Sequence, residues 1–239
     1  MARFGVFIEL ASPESVEMAG WAGWDHCVID CEHAPIDNAF LPAMLRAARI
    51  PAYVRVPNST PESIQGALDN GANGVIVPRL RSAEEARRVV EAARFFPQGK
   101  RGVNHMVRAA RYSLEPIEEY LKNAGEHTRV IVQIETAEAL ECVEDIAATP
   151  GLDELFIGPY DLSQALAIPG QVLDEKLLRA GRRILDAAHA NGLAVSVFVN
   201  NDDAARAWLA LGADTLHYSA DTYLLAQALR QTRERLRSL

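Results

Sequence analysis

Short apolar runs alternate with amphipathic stretches along almost the whole chain. Runs of a few β-branched or other apolar residues are typical of buried strands, whereas apolar residues three or four positions apart are typical of helices. The pattern predicts eight strands, which cover residues 4–10, 26–30, 52–55, 74–77, 130–135, 155–157, 194–198 and 215–217. Because helical stretches separate most of these runs, the strands are expected to form a parallel sheet.

Cap and stop residues mark the ends of several predicted helices. Ser12 followed by Pro13 is typical of a helix start, and Gly71 is typical of a helix stop. The other predicted helices cover residues 37–48, 61–70, 82–95 and 222–237.

The number of strand–helix units predicts the fold class. Eight units in 239 residues favour an α/β protein, a (β/α)8 or TIM barrel that forms a single domain over residues 1–239. A doubly wound open sheet is the alternative, but no Gly-x-Gly-x-x-Gly turn follows the first strand. Residues 97–128 form one irregular stretch that is too long for an ordinary connection, which predicts a functional or interface role.

Polar residues follow the predicted strands. Active sites of this barrel lie at the C-terminal ends of the strands, and here those ends carry Glu9, Asp30 with Glu32 and His33, Arg55, Pro78, Glu135, Asp161, Asn200 and Tyr218. So many charged groups at the ends of apolar strands indicate an enzyme.

Two of these acids end neighbouring strands. Glu135 closes one apolar run and Asp161 follows the next. A carboxylate at the end of a buried strand is costly unless it is paired, hydrogen-bonded or bound to a metal, so the pair predicts a divalent-cation site. The alternative is that both acids lie in the first turns of the following helices, where the helix dipole favours them. The two residues alone do not decide between these interpretations.

Four further side chains are candidates for chemistry. Cys27, Cys31 and His33 share one strand parity, but no second pair completes four zinc ligands, and thiols in strands are usually core residues. His33 is either a catalytic imidazole or a structural one. Arg55 either balances neighbouring acids or binds an anionic substrate and a developing oxyanion.

Composition excludes several classes of function. The net charge of −8 argues against nucleic acid or an anionic membrane as a partner, and no apolar run approaches the length of a membrane span. The N-terminus lacks a signal-peptide pattern and there are only three cysteines, so a cytoplasmic location is expected. None of the three lysines lies on a predicted strand, which argues against a Schiff-base mechanism. Chemistry beside a carbonyl would therefore require a metal.

Several motifs occur in an order that resembles a known family. DCEHAP (30–35), VRVP (54–57), LDNGA (68–72), FPQGKRGV (96–103), VQIET (132–136) and FIGPYDLS (156–163) together resemble the class II pyruvate-dependent aldolases of the HpcH/HpaI type. The resemblance extends over essentially the whole chain.

The resemblance implies a role for each matching residue. Glu135 and Asp161 would bind a divalent metal ion (Mg²⁺, Mn²⁺ or Co²⁺), and Arg55 would face the keto oxygen. Gln133 would face the ligand, and the backbone of Gly158, Tyr160 and Asp161 would bind the pyruvate carboxylate. His33 and Asp69 match a His–Asp dyad. The substrates would be a small keto acid and an aldehyde, and the assembly a homotrimer or homohexamer in which the final helix packs on a neighbour.

The predicted positions of the dyad imply a shared site. Asp69 closes the helix after the third strand, whereas His33 follows the second strand. A helix of about ten residues spans roughly 15 Å, so Asp69 is expected to reach His33 only from a neighbouring subunit.

Departures from the family pattern leave alternatives open. Cys31 replaces the usual glycine, Tyr160 replaces a residue that is often small, and the eighth strand is unusually polar. One alternative is a citryl- or malyl-CoA lyase-like enzyme, with Arg79, Arg81, Arg87 and Arg88 available to CoA phosphates. Another is a barrel that binds a keto acid without turning it over.

Overall fold

The computed structural model describes residues 2–239 as a closed barrel of eight parallel strands with eleven α-helices around it. The strands are β1 (Arg3–Ile8), β2 (His26–Asp30), β3 (Ala52–Arg55), β4 (Gly74–Val77), β5 (Arg129–Ile134), β6 (Glu154–Ile157), β7 (Ala194–Val199) and β8 (Thr215–Ala220). Each strand pairs with the next and β8 pairs with β1, so the predicted (β/α)8 barrel is confirmed.

Helices follow the strands in regular alternation. They are α1 (Pro13–Trp21), α2 (Leu41–Ala47), α3 (Pro61–Asp69), α4 (Ala83–Ala93), α5 (Ile117–His127), α6 (Ala137–Glu141), α7 (Val143–Ala147), α8 (Pro159–Ala165), α9 (Glu175–Ala190), α10 (Asp202–Leu211) and α11 (Asp221–Arg237). Side-chain caps begin several of them, since Thr60, Ser82 and Thr136 accept hydrogen bonds from backbone N–H groups in the first turns of α3, α4 and α6.

The alternation of side chains along each strand separates two cores. Alternate apolar residues point outward and pack under the helices, as Val130 and Val132 do on β5. The intervening residues point into the barrel, where Phe7, Ile131 and Phe156 form its apolar middle layer. The next inward positions toward the C-terminal ends are polar, which places the candidate site directly above this layer.

The inward positions below the middle layer are also polar. Glu154 is buried between Arg3 and Arg129, and it accepts a hydrogen bond from Arg129 at 3.0 Å. Beside it, His26 Nε2 lies 3.3 Å from His217 Nδ1. Burial lowers the pKa of His26 to about 4 and also lowers the pKa of His217. Both imidazoles are therefore neutral at pH 7.

Residues 97–128 differ from the predicted irregular stretch. They contain the eleven-residue α5 and a short 3₁₀ segment (Arg108–Ser113) that is interrupted by non-helical residues, so the stretch is not irregular throughout. Its functional or interface role stays a prediction. Only Tyr120 is buried on α5, where it packs edge-on against Phe95. Ile117, Tyr120, Leu121 and Ala124 have the spacing of one helix face, so the apolar periodicity by which helices are recognised is present in this segment.

The C-terminal helix α11 packs only loosely on the rest of the chain, and its outer face is exposed. None of the α11 residues is buried, and Leu225, Leu229 and Leu236 are exposed along it. Across residues 2–239, none of the helices combines the length and the apolar character needed to span a membrane.

Candidate active site

A cavity of about 270 Å³ opens at the C-terminal ends of the strands. Its lining contains six polar or charged side chains of that end together with three phenylalanines, and Glu135 lies directly behind Gln133. The lining residues are Phe7, Glu9, His33, Arg55, Gln133, Phe156, Gly158, Pro159, Tyr160, Asp161 and Phe198.

Arg55 is fixed by acids on the neighbouring strand. Asp30 and Arg55 are paired in the register of β2 and β3, and Nε and Nη2 of Arg55 donate to the two carboxylate oxygens of Asp30 at 2.9 and 2.7 Å. Glu32 lies 3.4 Å from Arg55 Nε. The guanidinium is nearly buried, lies 4.9 Å from the centre of the Phe7 ring and keeps its raised pKa through these acids. Arg55 is therefore a rigid, permanently charged donor at the cavity wall.

Glu135 lies at the end of β5 on the same inward face as Gln133. Its Oε1 accepts a hydrogen bond from the backbone N–H of Arg79 at 2.7 Å, and its Oε2 accepts one from the Gln133 amide. Arg79 has a positive φ of 57°, an uncommon conformation for a residue with a side chain, which aims that N–H at the carboxylate. A Cβ on Gly158 would lie 2.7 Å from Gln133 Nε2 and 2.8 Å from Glu135 Oε2, so any side chain at this position would displace these two groups.

The oxygen atoms at this point fit a divalent cation. Burial raises the pKa of Glu135 to about 7. The nearby negative charge of Asp161 acts in the same direction, whereas the Arg79 N–H and the charge of Arg55 act against it. Gln133 Oε1 is buried and finds no hydrogen-bond partner among the described residues. Mg²⁺-like ions bind one or two protein carboxylates and keep other positions for water or substrate. Within residues 2–239, no cluster of three or more Cys, His, Asp or Glu side chains is arranged to hold a metal.

The cysteines lie outside this set. Cys27 packs in the layer between the barrel and the helices, with Cys31 at its edge, so both point away from the cavity. Burial raises the pKa of each thiol to about 12, which leaves both protonated. This position agrees with the expectation that they are core residues.

His33 and Asp69 are not brought together within one chain. His33 lines the cavity, is largely exposed, and its Nε2 lies 3.7 Å from Glu32. Asp69 ends α3 at the other end of the barrel, where it accepts a hydrogen bond from Arg101 Nη2 at 2.6 Å. The side chain of Arg101 is 2% exposed and stacks on Phe95.

Tyr160 and Asn200 lie at or beside the cavity, whereas Tyr218 lies away from it. Tyr160 accepts a hydrogen bond from Asn200 Nδ2 at 2.6 Å and packs edge-on against Phe198. Tyr218 instead bonds to Asp202 on α10 and does not line the cavity.

Sequence reasoning did not identify several residues of the site. Phe7 and Phe198 were assigned no role, although their parity within the strands would have placed them inward. The backbone contact of Arg79 and the ion pair of Arg101 have no signal in sequence, because each depends on a loop conformation.

The four arginines considered for CoA phosphates are largely engaged with acids. Arg87 and Arg88 lie 2.8 and 3.5 Å from Glu84, and Arg79 Nε lies 3.1 Å from Glu32. Arg87 and Arg88 share one acid and these side chains are more than half exposed, so the pairs reduce the positive charge of this face without removing it.

Comparisons with known proteins match the chain over most of its length. A family model described as HpcH/HpaI aldolase/citrate lyase matches residues 3–228. The chain is 36% identical to a hydroxypyruvate/pyruvate aldolase of Paraburkholderia phytofirmans over 98% of this chain and 93% of the relative. It is 33% identical to a 5-keto-4-deoxy-D-glucarate aldolase of Enterobacter sp. (strain 638) over 96% of this chain and 90% of the relative.

A solved structure has the same fold. It is an HpcH/HpaI aldolase/citrate lyase family protein from Burkholderia cenocepacia J2315, with a TM-score of 0.93 and 36% sequence identity. The match covers 99% of this chain and 95% of the other. These similarities extend from the first strand of the barrel into its last helix.

Proposed function

The chain belongs to the HpcH/HpaI aldolase/citrate lyase family, and on that premise we propose that it reversibly cleaves a 4-hydroxy-2-oxo acid to pyruvate and an aldehyde. Membership makes the chain a carbon–carbon lyase of the aldolase type. The observation that carries the proposal is the convergence of Arg55, Gln133, Glu135 and Asp161 at one end of the barrel.

The keto-acid end of the substrate binds between β5 and α8. Gln133 and Arg55 face the keto oxygen, and the backbone of Gly158, Tyr160 and Asp161 binds the carboxylate. This part of the chain is the start of α8, where backbone N–H groups have no partner within the helix and suit an anion.

Cleavage of the C3–C4 bond requires a base and a site for negative charge. His33, directly or through a water, removes the proton from the C4 hydroxyl, and its imidazole is suited to that task near neutral pH. The C3–C4 electron pair then moves toward the keto group, which releases the aldehyde and leaves the enolate of pyruvate. Arg55 stabilises the charge that develops on the keto oxygen, and protonation at C3 completes pyruvate.

Glu135 and Asp161 would hold a divalent metal ion, for which the family of metal-dependent aldolases provides the general support. Mg²⁺, Mn²⁺ and Co²⁺ are the candidate ions, since all three accept carboxylate oxygens. When bound, the ion supplies Lewis-acid stabilisation of negative charge on the substrate oxygens.

The dyad of His33 and Asp69 would be completed across subunits. The two residues lie at opposite ends of one barrel, so Asp69 reaches His33 only if a second barrel stacks its lower end on this cavity. A homotrimer or homohexamer would provide that contact, with α11 packing its exposed leucines on a neighbour.

The experiment is a pyruvate-release assay with a panel of 4-hydroxy-2-oxo acids and added Mg²⁺ or Mn²⁺. We expect pyruvate and an equimolar aldehyde from at least one member of the panel. If no member releases pyruvate and a citryl- or malyl-CoA thioester is cleaved instead, the proposal is contradicted.

A further inference from the structure

Part of the cavity wall is formed by side chains to which the proposed function assigns no role. Glu9, Tyr160 and Phe198 line it, and Asn200 stands behind Tyr160. The proposed function, on which this inference rests, places the keto acid against Gln133 and Asp161. The remaining wall is therefore the surface that meets the aldehyde.

Glu9 is held in a fixed position at this wall. Its Oε2 accepts a hydrogen bond from the Thr222 hydroxyl at 2.7 Å, and its backbone N–H donates to Asp221 at 2.8 Å. Both contacts join the end of β1 to the first turn of α11. The second carboxylate oxygen of Glu9 keeps its acceptor capacity, which suits a hydroxyl group of a ligand.

The cations near the cavity are already committed. Arg55 binds Asp30 through two nitrogens, and Arg79 binds Glu32 and the Pro57 carbonyl. Among the described residues that line the cavity, Arg55 is the one arginine or lysine, and the keto acid takes its remaining capacity. A second carboxylate on the aldehyde would face Glu9 without an arginine or lysine as partner, and like charges in a partly buried cavity repel strongly.

Tyr160 supplies a donor to the same wall. Its hydroxyl oxygen accepts from Asn200 Nδ2 at 2.6 Å, which leaves the hydroxyl proton free to point at a ligand. Its ring packs against Phe198, so the hydroxyl group is held at a defined position above an apolar floor. A donor from Tyr160 and an acceptor from Glu9 match a neutral hydroxyl group.

We propose that the aldehyde partner is an uncharged hydroxyaldehyde, and that Glu9 excludes aldehydes that carry a carboxylate. Tyr160 and Glu9 bind the hydroxyl group that adjoins the aldehyde carbon. The substrate class is then the 4,5-dihydroxy-2-oxo acids, in preference to 4-hydroxy-2-oxo dicarboxylic acids.

The test compares two substrates of equal carbon number. 4,5-Dihydroxy-2-oxopentanoate ends in a neutral CH₂OH group, and 4-hydroxy-2-oxopentanedioate ends in a carboxylate. We expect wild type to favour the neutral substrate by about tenfold or more in kcat/KM, which corresponds to about 1.4 kcal/mol. A third substrate, 4-hydroxy-2-oxopentanoate, has a methyl group in place of CH₂OH and measures the contribution of the hydroxyl alone.

Two variants assign the preference to residues. Glu9→Gln keeps an oxygen acceptor for Thr222 but removes the charge, so the preference for the neutral substrate over the dicarboxylate should shrink about fivefold or more. Tyr160→Phe should lower kcat/KM about fivefold for the dihydroxy acid relative to the methyl analogue, the usual effect of one hydrogen bond. Glu175→Gln removes an exposed charge at the start of α9 and should leave every ratio unchanged.

The outcomes separate this inference from the proposed function. Failure of wild type to release pyruvate from all three substrates overturns both. Pyruvate release with equal or greater kcat/KM for the dicarboxylate, or with a ratio that Glu9→Gln does not change, overturns the inference while the aldolase function stands.

Discussion

At the scale of single residues, Asp30 and Arg55 form a two-point ion pair at the wall of the site. Asp30 is fully buried and accepts both hydrogen bonds from a guanidinium that is itself nearly buried. A planar fork that matches a carboxylate in this way leaves the rest of its edge in a fixed direction. The pair therefore fixes the orientation of the Arg55 guanidinium, which donates hydrogen bonds at the cavity wall.

Replacement of Arg55 by lysine tests this role. Arg55→Lys keeps the charge but loses the two-point contact, so we expect kcat to fall by about 10²-fold, as for loss of one oxyanion donor. One carboxylate oxygen of Asp30 is left without its partner, which should lower the free energy of unfolding by about 1–3 kcal/mol. Steady-state kinetics and urea unfolding measure both effects. Arg49→Lys, in an exposed pair with Glu17, is the matched control, and an unchanged kcat for Arg55→Lys would show that Arg55 is only structural.

The buried imidazoles predict a dependence of stability on pH. Burial lowers the pKa of His26 from 6.5 to about 4, so the unfolded chain binds a proton between these values that the folded chain does not. Stability from this group is complete above pH 6.5 and is lost as the pH falls, by about 2 kcal/mol at pH 5. Glu135 has a raised pKa, so its contribution to stability increases as the pH falls. The effect of His26 must therefore be measured as the difference between wild type and a His26 variant under the same conditions.

His26→Gln isolates the contribution of that imidazole. Between pH 7 and pH 5, the free energy of unfolding measured in urea should fall by about 2 kcal/mol less in this variant than in wild type. His127→Gln removes an exposed histidine and should leave the wild-type slope. Identical slopes for His26→Gln and wild type would contradict the burial of a neutral His26.

At the scale of elements, the alternation of inward and outward side chains along a strand explains which parts of the barrel and of the site the sequence predicts. Val130–Ile134 alternates outward apolar and inward residues, so both the strand and the inward direction of Gln133 and Glu135 follow from pattern alone. Loop conformation does not follow from it. The positive φ of Arg79 and the ion pair of Arg101 with Asp69 depend on contacts between segments that are distant in sequence.

Gly158 joins the end of β6 to the start of α8, and its backbone lies close to the side chains of Gln133 and Glu135. In Gly158→Ala, the new Cβ would lie under 3 Å from both Gln133 and Glu135, so the carboxylate must shift. We expect at least about tenfold loss of kcat/KM with the barrel retained by circular dichroism, because small displacements of catalytic groups are costly. Gly125→Ala, on α5 with open space around it, is the control and should keep wild-type activity. Full activity of Gly158→Ala would show that the carboxylate need not lie where the structure has it.

At the scale of the whole molecule, the proposed dyad of His33 and Asp69 would require a second barrel. Asp69 lies at the N-terminal end of the strands, where it is hydrogen-bonded to Arg101, and His33 lies at their C-terminal end. The apolar middle layer of the barrel separates them. Exposed apolar residues lie between α4 and α5, with Phe96, Met106 and Leu114 among them, and others lie along α11. These surfaces are expected to be covered by other copies of the chain.

Mixing two inactive variants tests whether subunits share a site. Asp69→Ala subunits keep His33, and His33→Ala subunits keep Asp69, so random assembly from equal amounts should restore about a quarter of the sites. The measurement is pyruvate release after joint refolding, with the mixed oligomer verified by native mass spectrometry. Refolding of each variant alone is the control and should give no activity. Absence of recovery in verified mixed oligomers would refute the shared site.

The central claim is that the acids at the end of β5 and the start of α8 hold a metal used in aldol cleavage. Its most direct measurement is pyruvate release from a 4-hydroxy-2-oxo acid before chelation, after exhaustive chelation, and after return of Mg²⁺ or Mn²⁺. We predict that activity disappears and returns in wild type, while Glu135→Gln and Asp161→Asn remain folded, inactive and unresponsive to added metal because each lacks a charged ligand. Full activity of the wild type after complete removal of metal, verified by elemental analysis, would contradict the claim.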